Sequence, residues 1–171
     1  FELNFKKRQP ISSILFEFLY TKDQSGPGYY PNDSIRLQGA DNYYNHGGYA
    51  SMTYYGYVLG NPLLVSPLYN NGQTLRLLNN RVISYHLGIS GYLSNYVDYR
   101  SLITYSRAYG EPNNIPDKAL EQFSVLLEAN YRNPRLKGWV ITGAVAYDKS
   151  KYLVGDNFGC ELKVSKNFNI R

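Results

Sequence analysis

Gly138-Trp139-Val140-Ile141-Thr142-Gly143-Ala144-Val145-Ala146-Tyr147 is the stretch that decides the fold. Every second residue (Trp139, Ile141, Gly143, Val145, Tyr147) makes one side, and Gly138, Val140, Thr142, Ala144 and Ala146 make the other. A period of two over this length is a β-strand whose two faces meet different surroundings. Working outward, the same alternation recurs. Phe158, Cys160, Leu162 and Val164 oppose Gly159, Glu161, Lys163 and Ser165. Phe123, Val125, Leu127, Ala129 and Tyr131 oppose Gln122, Ser124, Leu126, Glu128 and Asn130. Ile83, Tyr85, Leu87 and Ile89 oppose Ser84, His86, Gly88 and Ser90, and Ile14, Phe16, Phe18 and Tyr20 oppose Ser13, Leu15, Glu17 and Leu19. The stretch 96–109 is noisier, with Val97, Tyr99, Ile103 and Tyr105 against Asp98, Arg100, Thr104 and Ser106.

These patterns predict strands near 2–7, 11–22, 80–92, 96–109, 120–132, 136–148 and 156–168. Short turns at Arg8-Gln9-Pro10, Leu93-Ser94-Asn95 and Asn133-Pro134-Arg135 use residues that favour reversal. The other connections are long: 23–79, 110–119 and 149–155. Strict short–long alternation is the pattern of an antiparallel transmembrane β-barrel, with short periplasmic turns and longer extracellular loops. On this reading hydrocarbon touches Ile14, Ile83, Phe123, Val145 and Leu162, and the last strand ends on the periplasmic side. Bacterial single-chain barrels have an even number of strands, eight or more. Seven strands therefore predict the C-terminal part of a larger barrel, in one unit spanning 1–171 with a long extracellular loop at about 23–79. The chain opens on Phe1 in strand-like sequence without a leader, so an exported barrel would be represented here by a mature or truncated segment.

Composition agrees. Nineteen tyrosines against one tryptophan and seven phenylalanines suit half-wet positions, because the ring is apolar and the hydroxyl is not. Barrels place such rings in girdles at both membrane interfaces. Mean hydropathy is −0.43, and no apolar run approaches the ~18 residues of a membrane helix; inward polar residues dilute a barrel's average in the same way. Cys160 is the single cysteine. It sits on the apolar side of its strand, as a small hydrophobe rather than a nucleophile. The net charge of +5 favours anionic partners. Its cations are scattered, with only Lys6-Lys7-Arg8 in a run. That points away from nucleic acid and toward lipopolysaccharide and outer-membrane lipid, or acidic surface polysaccharide. No cofactor or metal is implied.

The segment 23–79 is rich in Asp, Asn, Gly, Pro and Tyr. Its aromatic content predicts an ordered loop, folded partly into the lumen, rather than disorder; residues 51–58 have the composition to extend a strand. Several strings here and beyond resemble one family. They are Tyr20-Thr21-Lys22-Asp23-Gln24-Ser25-Gly26-Pro27, Asp41-Asn42-Tyr43-Tyr44-Asn45, Gly60-Asn61-Pro62-Leu63, Asn79-Asn80-Arg81-Val82, Leu102-Ile103-Thr104-Tyr105-Ser106-Arg107 and Gly155-Asp156-Asn157-Phe158-Gly159. Together they resemble the Bacteroidetes branch of the Wzi family of capsule assembly proteins, over most of residues 11–160. The resemblance implies a non-enzymatic outer-membrane β-barrel of about eighteen strands, binding capsular polysaccharide at the bacterial surface, in company with other envelope proteins.

Glycan recognition needs stacking aromatics and planar hydrogen-bonding groups. Asn42, Tyr43, Tyr44, Asn45, His46, Tyr49, Tyr54 and Tyr55 supply both within one loop, and Arg36, Arg76, Arg81 and Arg107 suit the carboxylates of acidic sugars. Ser84, His86, Asp98, Arg100 and Glu128 fall on the polar, lumen-facing side of their strands. Ser84 and His86 are neighbours there. A hydrolase would require them in hydrogen-bond reach with an orienting carboxylate, and a hydrogen-bonded lumen histidine is the simpler expectation. The opposite charges of Asp98, Arg100, Glu128 and Arg132 read as ion pairs bracing the wall. Two other functions share these features: a porin or transport channel on the same fold, which would conduct, and a secreted soluble carbohydrate-binding β-domain, which would need no detergent.

Overall fold

The structure, a computed structural model, describes residues 1–5, 7–22, 43–45, 52–61, 63–70, 75–111, 114–151 and 155–166. It is all-β and antiparallel. Strands β1 (Glu2–Asn4) and β2 (Ser13–Tyr20) are followed by a small hairpin, β3 (Thr53–Tyr54) and β4 (Tyr57–Val58). Then come β5 (Val82–Tyr92), β6 (Val97–Ala108), β7 (Leu120–Tyr131), β8 (Trp139–Ser150) and β9 (Asn157–Lys166). Seven of them form one meander in the order β1-β2-β5-β6-β7-β8-β9. Each of the seven expected strands is present, the first shorter than expected. Residues 53–58 extend no strand of the sheet; they pair only with themselves. The reason is local: Tyr55 (φ 48°) and Gly56 (φ 80°) both take the left-handed conformation of a two-residue type I′ reversal.

Directly paired residues of an antiparallel ladder project from the same face, so the register defines two surfaces. On one lie Phe16 and Phe18 of β2, Tyr85, Leu87 and Ile89 of β5, and Ile103 and Tyr105 of β6. Phe123, Val125 and Leu127 of β7, Val145 and Tyr147 of β8 and Phe158, Cys160 and Leu162 of β9 continue it. Nothing among the described residues forms a second layer over this face. Phe18 is 53%, Leu127 51% and Leu162 79% exposed. The five side chains expected to share it, Ile14, Ile83, Phe123, Val145 and Leu162, do so, and none is buried.

Aromatic rings concentrate in two belts on the apolar face. Phe18, Tyr85, Tyr105 and Phe123 stand in one cross-strand row toward the loop end, with the Phe18 and Tyr85 rings 5.2 Å apart. Tyr147 and Phe158 continue it one step lower on β8 and β9. Toward the turn end Tyr99, Tyr131 and Trp139 make a second belt that descends in the same direction. Between the belts no Asp, Glu, Lys or Arg occurs on this face of β5 to β9. Arg107, Glu121 and Lys149 lie beyond the first belt, and Lys166 stacks on Trp139 at the second.

The opposite face carries rows of polar and charged side chains, interrupted by one row of Leu15, Gly88, Leu102, Leu126, Ala146 and Gly159. Glu17, His86, Thr104, Ser124, Asp148 and Asn157 form one row, and Arg100 and Glu128 sit in another. Asp98 binds Arg132 at 2.9 Å, and Arg100 binds Glu128 at 3.0 Å. Asn130 donates to Asp98 and accepts from Thr142. The charges therefore pair between β6 and the β7 end of the sheet, and Thr142 of β8 joins the network through Asn130.

The described hydrophobic core sits on this polar side, at the loop end. Val82, Ala108 and Leu120 share a cross-strand row there. Leu64 and Leu77, from the segment between β2 and β5, close over them, with Tyr44 and Val58 packed alongside. That segment therefore folds down onto the polar face. At the far end the β1–β2 turn passes so close to Gly91 that a Cβ there would collide with the Pro10 carbonyl. Tyr99 donates its hydroxyl to the same carbonyl at 2.8 Å. The sheet is open: β1 and β9 are its edges, and all ten residues of β9 pair with β8 alone.

Candidate functional site

The loop is pinned by polar side chains on buried backbone. Asn45 accepts a hydrogen bond from the Leu77 amide at 2.8 Å and donates to the Leu77 carbonyl at 2.9 Å and to Glu111 at 3.1 Å. Glu111, almost buried, also pairs with Arg76 at 3.0 Å. Thr21 accepts from the Val82 amide and donates to the Asn80 carbonyl, and buried Arg81 donates Nε to the Lys22 carbonyl. These bonds tie the end of β2, the loop and the β6–β7 connection into one assembly.

That assembly divides the residues expected to bind glycan. Asn45, Arg76 and Arg81 are engaged in holding the loop. Tyr44 packs on the core, and burial, then neighbouring Tyr43, pushes its phenol above the ordinary 10.0. Arg107 projects from the apolar face beyond the first belt, 3.6 Å from Glu121 and over the Tyr109 ring. Exposed rings remain: Tyr43 (50%), Tyr54 (66%), Tyr55 (82%) and Tyr57 (53%). Tyr54 and Tyr55 meet edge-to-face at 4.6 Å. A bulky residue in the left-handed region is a costly exception, so the hairpin holds Tyr55 outward at some expense to its backbone. Arg36, Asn42, His46 and Tyr49 lie outside the described residues.

Ser84, His86, Asp98, Arg100 and Glu128 all lie on the polar face. His86 does not engage Ser84. Its Nδ1 is 2.7 Å from the Thr104 hydroxyl, whereas Ser84, 2% exposed, donates to the Tyr105 carbonyl. No Ser–His nucleophile is assembled there.

The row containing His86 borders a cleft of about 450 Å³ between the sheet and the loop. Glu17, Leu19, Ser84, His86 and Thr104 form its floor, and Asn61 and Leu63 its roof. Glu17, Asn61 and Thr104 were not singled out by sequence. Glu17 carries a signal, as the one charge in the apolar run 14–20, but only the pairing of Glu17 with His86 and of His86 with Thr104 brings the three strands' polar groups together. Asn61 turns its carbonyl oxygen to the Leu63 amide at 3.0 Å, which leaves its NH₂ for the cleft. The volume is in the range of small-molecule pockets. No protein-family model matches the chain, and no curated protein or solved structure matches it significantly.

Proposed function

We propose that this chain is part of the wall of an outer-membrane β-barrel that binds surface polysaccharide without chemically altering it, in capsule assembly or attachment. One observation carries the membrane reading: a broad exposed apolar face, free of Asp, Glu, Lys and Arg between two aromatic belts, backs onto a face that holds rows of paired charges and polar groups. In water such a face is unfavourable by ~25 cal/mol for each Å² of apolar surface; in lipid it is the required exterior. From Phe123 to Tyr131 the strand advances eight residues, ~27 Å at 3.4 Å each. At a barrel tilt of about 40° this gives a height of roughly 20 Å, near the ~25 Å apolar band of such walls once the capping rings are added.

The open edges of β1 and β9 extend the reading. A lipid-embedded edge leaves backbone groups unpaired, so a wall must close. Seven strands of this sheet thus call for further strands in a larger barrel. The glycan reading rests on the exposed loop tyrosines, the polar cleft and the sequence resemblance to capsule assembly proteins. Sugar rings stack on aromatic faces, and Tyr54 and Tyr55 present two at a hairpin tip.

Adjacent substitutions test the wall. Val145→Arg, on the apolar face, is expected to cost ~2–4 kcal/mol in lipid vesicles. Ala144→Arg, set between Glu128 and Glu161 on the polar face, is expected to be nearly neutral. Equal effects in denaturant titrations would refute the membrane reading. For glycan binding, Tyr54→Ala/Tyr55→Ala should weaken retention of the native surface polysaccharide at least tenfold; unchanged retention removes these tyrosines from the site.

A further inference from the structure

The acidic-sugar expectation rested on arginines, and the arginines described near the loop are spoken for. Arg76 is bound to Glu111, Arg81 is buried against the Lys22 carbonyl, and Arg107 projects from the other face. Among the described residues no cation lines the cleft on the polar face. What lines it is a carboxylate, an imidazole, two hydroxyls and an amide.

Glu17 is the decisive group. Its cross-strand partner is His86, which places their Cβ atoms ~5 Å apart. Among the described residues Glu17 makes no hydrogen bond or ion pair. A carboxylate accepts only, with about four lone-pair positions to fill. His86 is oriented by Thr104 through Nδ1, so its Nε2 is left for a ligand. Asn61 offers its NH₂ from the roof, and Leu19 and Leu63 offer apolar contact to ring C–H groups. A ligand that satisfies this set brings a positive charge to Glu17 and hydroxyls to His86 and Asn61. A uronic acid would bring its carboxylate against Glu17, with no arginine among the described lining residues to offset the repulsion.

We propose that the cleft is a subsite for a sugar bearing a free amino group, its ammonium on Glu17 and its hydroxyls on His86 and Asn61. This rests on the polysaccharide-binding reading above and narrows it to amino-sugar-containing chains. The net charge of +5 would draw a polyanion to the chain as a whole, so preference for a cationic sugar would be a property of the cleft and not of overall charge.

The test is calorimetric titration of the complete protein in detergent with three tetrasaccharides: of glucosamine, of N-acetylglucosamine and of galacturonate. The glucosamine chain is expected to bind at least tenfold tighter than the other two. Glu17→Gln should remove that advantage while leaving the N-acetylated chain unaffected; the exposed position of Glu17 makes the variant foldable, and an unchanged thermal transition checks it. Tighter binding of the galacturonate chain, or glucosamine affinity unchanged in Glu17→Gln, overturns the inference. If in either case the native surface polysaccharide is still retained, the wider reading survives; if no saccharide binds at all, both fall.

Discussion

Asn45→Ala should release the loop from the polar face while leaving the sheet intact. The side chain supplies an acceptor to the Leu77 amide and a donor to the Leu77 carbonyl, both beside a Leu77 side chain that is fully buried. Removing it leaves two backbone groups without partners at a packed position, at ~1–3 kcal/mol each. The third bond, to Glu111, is less costly because Arg76 still holds that carboxylate. Taking about 1.5 kcal/mol per orphaned group gives about 3 kcal/mol, or roughly a hundredfold more open loop at 1.36 kcal/mol per decade. Hydrogen exchange on the micelle-folded protein reads this directly. Peptides covering 63–70 and 75–82 should exchange about a hundredfold faster, with the β7 peptide 120–131 unchanged. Asn45→Asp sharpens the case. It keeps the acceptor for the Leu77 amide but turns a second oxygen toward the Leu77 carbonyl and toward Glu111, 3.1 Å from the lost donor; it should open the loop at neutral pH at least as far as alanine does. Unchanged exchange at 63–70 in both variants, or acceleration shared equally by 120–131, would refute the reasoning.

Three further outcomes are expected. Gly91→Val should destabilise the sheet by ~1–3 kcal/mol, because its Cβ would occupy the place of the Pro10 carbonyl; a denaturation midpoint equal to wild type would show that the β1–β2 turn moves freely aside. Tyr55→Gly should relieve ~1–2 kcal/mol of left-handed strain, partly offset by loss of the Tyr54 edge-to-face contact, ~0.5–1.5 kcal/mol; thermal stability should therefore change little while polysaccharide retention falls. The Tyr44 phenol, held neutral by burial, should ionise above 10.0. The stability it contributes is complete below that value and lost as pH rises through the higher native one, so the 295 nm absorbance step missing from Tyr44→Phe should lie on the alkaline side of 10.0.

Period-two alternation was strong enough in this chain to fix which residues are strands and which side chains share a face. Leu126 beside Leu127 shows how little ambiguity survived: one registers with Leu102 on the polar side, the other with Ser101 on the apolar side. Alternation carries no record of which strand position meets which. That is why Asp98 with Arg132, or Glu17 with His86 and Thr104, could be assigned to a face from sequence but not to one another. The loop was harder still. Tyr43 and Tyr44 are adjacent and chemically identical, yet one is exposed and the other packs on the hydrophobic core cluster. Asn45 has the residue type of a sugar ligand and serves the Leu77 backbone. Such roles depend on contacts between residues more than thirty positions apart, about which residue type says little.

The only tightly packed hydrophobic nucleus among the described residues forms where the loop settles on Val82, Ala108 and Leu120. Its assembly presupposes that β5, β6 and β7 are already side by side, so the cover settles after those strands have paired. Sheet and cover would then evolve on separate schedules: residues 52–70 could be remodelled while the sheet beneath kept its architecture, provided the three side chains that receive the cover stayed apolar.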